Sequence, residues 1–109
     1  LFAGRPEFYS SKTVGDLPDD MEPHTVYVLG EQGHYWTAVF LCPCRCGDIV
    51  HLNLLTTHHP RWALTLQKDM TPTITPSIWR TQGCRSHFFI RSGKIVWVTD
   101  EIGALPKTG

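Results

Sequence analysis

The sequence lacks any run of the eighteen or so apolar residues that a membrane-spanning helix requires, so no such helix is expected. It also lacks an excess of charge of either sign, with ten acidic residues against ten basic ones and a formal net charge of zero with neutral histidines. That balance removes the long-range field of a general nucleic-acid binder, and neither nucleic acid nor membrane is expected as a partner. Arg80, Arg85 and Arg91 lie close together and read as solvated surface charge. No basic-then-apolar leader opens the sequence, which suggests a cytoplasmic protein. Helical periodicity is missing as well: no stretch of a dozen residues repeats apolar positions every three to four, so at most a short helical turn is expected.

What is present points to a small β domain. A length of 109 residues suits one core, and Trp36, Trp62, Trp79 and Trp97 supply apolar mass. Residues 1–24, punctuated by Gly4, Pro6, Gly15, Pro18 and Pro23, read as an irregular N-terminal arm lying across the rest. Short strands then follow: TVYVL at 25–29, a turn at GEQG, YWTAVFL at 35–41 and DIVHLNLL at 48–55. RWALTLQ at 61–67 alternates cleanly, and TPTITPSIW at 71–79 carries two prolines, which confine it to a sheet edge or a bulged strand. HFFIR and KIVWV, joined by Ser92 and Gly93, make a closing hairpin. The expected architecture is mainly β, a single-domain antiparallel sheet or sandwich over residues 25–100, with a tail at 101–109. The tail ends in LPKTG, a sortase-like pattern read here as a chance match, because a sorting signal continues into an apolar stretch and a basic tail.

Only four cysteines occur, and three fall within CPCRCG at 42–47; the fourth lies in GCRSHF at 83–88. Disulfides fit this spacing poorly, since Cys42, Cys44 and Cys46 are too crowded to find separate partners when only Cys84 remains. A metal ion removes the difficulty, because zinc accepts four ligands converging from a tight turn. Cys42, Cys44, Cys46, Cys84 and His87 are five candidates for four places, and the surplus leaves two readings open. Four thiolates make a structural staple, with His87 standing beside it. Three protein ligands and a water make a Lewis-acid centre. Ser86 reads chiefly as a hydrogen-bond partner of a thiolate or turn amide. Asp48 and Glu22 are possible general bases, and His51 shares a strand face with the end of the cysteine turn. His34 is a candidate for the same pole of the sheet; His58, His59 and His24 read as loop and arm residues.

LCPCRCGDIVHLNLL, PRWALTL, TITPSIW and GCRSHFFIRSGKIVWV follow one another in the pattern of a small bacterial family first described as a domain of unknown function. The chain resembles that family over roughly residues 17–98, and its paired motifs CPC-x-CG and GC-x-SHF are specific together. Members are encoded beside ubiquitin-like proteins and homologues of ubiquitin-activating and ubiquitin-conjugating enzymes. The resemblance therefore implies a zinc-dependent peptidase that processes or deconjugates a ubiquitin-like protein. Residue by residue it implicates Cys42, Cys44, Cys46, Cys84, Ser86 and His87, with His87 and Ser86 as catalytic candidates. Two positions depart from the family pattern, since Arg45 and Met70 stand where glycine is usual. The alternative is a non-catalytic, zinc-stabilised β module that binds a partner protein.

Overall fold

The computed structural model describes residues 8–80 and 83–98; the first seven residues of the arm and the tail with its LPKTG lie outside the described residues. Eight strands form: β1 Ser10–Val14, β2 Thr25–Glu31, β3 His34–Leu41, β4 Ile49–Asn53, β5 Ala63–Leu66, β6 Pro72–Trp79, β7 His87–Arg91 and β8 Lys94–Trp97. They make two four-stranded sheets, β1-β2-β3-β4 and β5-β6-β7-β8. The mainly β reading holds, and no helix occurs among the described residues. Two-residue turns at Gln32–Gly33 and Ser92–Gly93 close the β2–β3 and β7–β8 hairpins. All four residues have positive φ, as the tight turns that match strand twist require.

Alternation builds the core. Val50 and Leu52 on β4 and Phe88 and Ile90 on β7 are buried, while the residues between them face outward, as a period of two dictates. Val26, Val28 and Phe40 of the first sheet meet Ile74, Ile78 and Ile95 of the second. The Phe40 and Phe88 rings pack edge-on across the interface with centroids 6.3 Å apart.

The arm contains a strand that its sequence conceals. SSKTV has no apolar alternation, yet it pairs with β2 in parallel, the one parallel pairing in these sheets. On its other side it reaches the second sheet, where Tyr9 N–H donates to the Gly93 carbonyl at 2.6 Å and Ser11 N–H to the Met70 carbonyl at 3.0 Å. The arm thus straps the two sheets together.

Pro72 opens β6, where no ladder donor is lost, and Pro76 sits in a register shift between Ile74 and Ile78, the bulge that a second proline demands. β5 pairs with β6 only as far as Thr75, so the rest of β6 keeps one open edge.

Arg45 and Met70, the two positions where glycine was expected, both have φ of 69°. A left-handed backbone costs a side-chain-bearing residue about 1–2 kcal/mol, against about 0.5–1 kcal/mol of extra unfolded-state entropy for glycine. Met70 is 41 % exposed and contributes little packing. Met70→Gly is expected to stabilise the fold by about 0.5–1 kcal/mol, raising the melting temperature in calorimetry by roughly 2–8 °C.

Candidate functional site: a four-cysteine group and a serine–histidine pair

The β3–β4 turn presents three of the four thiols. Cys42 N–H donates to the Asp48 carbonyl at 2.9 Å and Arg45 N–H to the Cys42 carbonyl at 3.0 Å, folding CPCRCG into a tight loop through left-handed Arg45 and Gly47. Cys84 arrives from the β6–β7 turn, which Arg80 N–H closes onto the Ser86 carbonyl at 2.7 Å. The sulfurs of Cys42, Cys44, Cys46 and Cys84 lie within 4.8 Å of one another, and all four cysteines are free.

This group could hold a metal ion such as zinc. Cys42 Sγ is 3.5 Å from Cys44 Sγ and 3.6 Å from Cys84 Sγ. Four thiolates at about 2.3 Å around a tetrahedral zinc would stand about 3.8 Å apart, so the sulfurs are already near ligand spacing. Their ionisation is split. Burial pushes the Cys42 thiol up to about 12, while the Ser86 hydroxyl, 3.2 Å from Cys84 Sγ, helps bring that thiol down to about 6. A buried thiol beside a thiolate needs a cation before it gives up its proton. The Arg80 guanidinium lies 3.9 Å from Cys84 Sγ and pairs with Asp48 at 3.2 Å, so one arginine borders the group from the protein side.

His87 is not in this group. Its side chain projects from β7 onto the outer face of the second sheet, where Nε2 is 2.9 Å from the Ser77 hydroxyl of β6. Trp79 and His87 face one another across β6 and β7, and Val98 N–H donates to the His87 carbonyl at 2.9 Å. The main-chain groups of His87 therefore turn toward β8. That leaves Trp79 and His87 as a non-hydrogen-bonded pair, the kind whose side chains approach most closely. Their rings stack 5.2 Å apart and 16° from parallel. Ser77 is held from the other side, since Trp62 Nε1–H donates to its carbonyl at 3.3 Å. Among the described residues no carboxylate bonds the imidazole; stacking orients it instead.

The remaining candidates scatter. Ser86 bonds Cys84 rather than His87. Asp48 pairs with Arg80 beside the cysteines, whereas Glu22 pairs with Lys12 at 2.9 Å, on the arm. His51 is exposed on β4. His34 starts β3, at the end opposite the cysteine turn that follows Leu41, so it does not reach that pole. His58 bonds Thr57 in an exposed loop, and the His24 ring packs on Tyr9. Arg91 lies 4.4 Å over the Phe89 ring. Ser77 was not singled out by sequence, because nothing in TITPSIW marks its partner ten residues away.

A hydroxyl bonded to an imidazole on an accessible sheet face is the arrangement by which serine hydrolases activate a nucleophile. It sits here on a small β-sandwich beside a four-cysteine group that could hold a metal. The chain belongs to the bacterial ubiquitination-like system serine protease (BubE) family, whose model matches residues 13–98. It is thus a peptidase of a bacterial ubiquitination-like system, with ubiquitin-like proteins as implied partners. The sequence resemblance reached the same system and the same enzyme class; the catalytic type differs, since the family is described as a serine protease and zinc dependence was expected. No curated protein and no solved structure matches the chain.

Proposed function

We propose that the chain cleaves an acyl bond in a ubiquitin-like protein, through Ser77 as nucleophile and His87 as general base. The observation that carries this reading is the 2.9 Å contact between Ser77 Oγ and His87 Nε2. Nε2 takes the hydroxyl proton as Oγ attacks the scissile carbonyl. The tetrahedral adduct collapses as the imidazolium returns that proton to the leaving amine, and an ester to Ser77 remains. Water, deprotonated by the same nitrogen, then hydrolyses the ester and restores the hydroxyl.

In this reading the zinc dependence expected from sequence is structural. The cysteine group would hold zinc through Cys42, Cys44, Cys46 and Cys84, and four sulfurs leave no open position for substrate or water. Bound there, the ion supplies a cross-link between the two sheets. Cys84 is three residues from His87, and Ser86 links the two by hydrogen-bonding the thiolate while preceding the histidine in the chain. Anchoring the β6–β7 turn thus fixes where β7 begins and where its imidazole stands.

Trp79 is a positioning residue. With no carboxylate on the ring, the stacked indole restricts the imidazole to the rotamer that meets Ser77. Trp79→Ala is expected to lower kcat about tenfold, and Trp79→Phe, which keeps an aromatic face, to recover most of it. A purely structural contribution would instead appear as a lower melting temperature with kcat intact. The direct test of the nucleophile is covalent labelling with a fluorophosphonate and peptide mapping by mass spectrometry. Label on Ser77, lost when His87 is replaced by alanine, supports the mechanism; label confined to Ser86 or a cysteine overturns it.

A further inference from the structure

A groove of about 300 Å³ runs between the free edge of β4 and the open end of β6, lined among others by Ile49, His51, Trp62, Trp79 and Arg80. Both ends are tied. At one, Trp62 N–H donates to the Asn53 carbonyl at 2.9 Å, and at the other Asp48 pairs with Arg80 at 3.2 Å. Between the ties β4 offers residues 49–52, roughly 13 Å at about 3.3 Å per residue. That length suits about four residues of extended chain.

The β6 wall has unused main-chain groups. Arg80 N–H bonds the Ser86 carbonyl, and the register pairs Ile78 with Phe88. Strand alternation therefore directs the N–H and C=O of Ile78 and Arg80 toward β7 and those of Trp79 away from it, into the groove, while the Ser77 carbonyl is already taken by Trp62 Nε1–H at 3.3 Å. β5 stops pairing at Thr75, so no strand of the described fold takes up the Trp79 groups. The sheet order is what connects this edge to chemistry. On the outer face Ser77 Oγ has His87 on its β7 side; on the other side Trp62 Nε1–H caps the Ser77 carbonyl at 3.3 Å, and the vacant strand position begins beyond it, at Trp79. A strand added there would lie next to the nucleophile, opposite the base. Trp79, 64 % exposed, and Ile49, 48 % exposed, rim the slot with apolar surface for its side chains.

We infer that the substrate binds as an extended segment that adds to β6 in this groove, so that an unstructured stretch of the ubiquitin-like protein continues the second sheet beside Ser77. This rests on Ser77 being the nucleophile. Recognition is through main-chain hydrogen bonds to Trp79, with the β4 edge as the facing wall, so the bond cleaved must lie in a flexible tail or linker and not within a folded element.

The test uses the whole wild-type chain and a ten-residue peptide spanning the cleaved bond, located first by mass spectrometry of digested ubiquitin-like substrate. The scissile amide is replaced by a CH2–NH linkage so that no mechanism can cut it. Two readouts are expected: the Trp79 amide exchanges with deuterium at least tenfold more slowly when the peptide is bound, and N-methylation of the peptide weakens binding at least tenfold at every second residue while sparing those between. A Trp79 amide that exchanges as fast with saturating peptide as without it overturns strand addition, as does uniform tolerance of N-methylation. Turnover by Ser77→Ala is scored separately. If that variant still cleaves, the nucleophile assignment fails, while the exchange and methylation results still decide whether a strand adds at β6.

Discussion

Ser77→Ala is expected to reduce cleavage of a ubiquitin-like substrate by at least about a thousandfold, while Ser86→Ala stays within about threefold of wild type. The two serines are chemically alike and nine residues apart, and their surroundings separate them. The Ser77 hydroxyl bonds Nε2 of His87 at 2.9 Å, so deprotonation has a base in place. Ser86 lies 3.2 Å from the Cys84 sulfur, where its hydroxyl stabilises a thiolate and has no base to activate it. The Ser86 variant should instead weaken metal retention, since partners of metal ligands typically contribute about 10–100-fold to affinity. Neither change opens a cavity in the core, because both side chains are only half-buried. Near-UV circular dichroism should therefore be preserved in both, and rates can be compared directly. Substantial turnover by Ser77→Ala, or loss of turnover in Ser86→Ala with metal still bound, would reverse the assignment.

Much of the strand order was legible because each strand carries its own punctuation. Residues 61–67 alternate cleanly, and Ser92–Gly93 is a two-residue turn by composition alone. β1 was not legible, since SSKTV is mostly polar and is held by main-chain bonds to β2 and to the Met70 carbonyl, which no local period records. The cysteine group was legible for the opposite reason: three thiols in five residues have few arrangements open to them, and the structure gathers all four. The Ser77–His87 pair was hidden because it depends on the register of β6 against β7 through a bulge at Pro76, and cross-strand register is written in pairings between distant residues. With that pair invisible, the densest cluster of reactive side chains drew the expected chemistry to itself. His87 was read with the cysteines because it follows Cys84 by three residues, yet strand alternation turns it to the other face, toward Ser77.

Stripping the metal should have the second large effect, on stability and only through stability on activity. The purified chain is expected to carry one zinc. An ion present at about a thousandfold its dissociation constant stabilises the folded state by about 4 kcal/mol, and at about 4–8 °C per kcal/mol for a domain of this size its removal should lower the melting temperature by roughly 15–30 °C. Cys42→Ala should approach the same loss, because Cys42 is 3 % exposed and its sulfur neighbours thiols from both turns. Cys46→Ala, at an exposed position, should cost less. The decisive comparison is one of order and of metal identity. If the ion only joins the β3–β4 turn to the β6–β7 turn, activity lost on chelation must track the loss of tertiary circular dichroism. Cobalt exchanged for zinc must likewise leave kcat within about twofold, since Ser77 and His87 move the proton whichever metal holds the sulfurs. A Lewis-acid centre behaves otherwise: its activity falls before the fold does, and kcat changes with the metal. That result would return catalysis to the cysteine group and leave the Ser77–His87 contact as a strand-to-strand hydrogen bond.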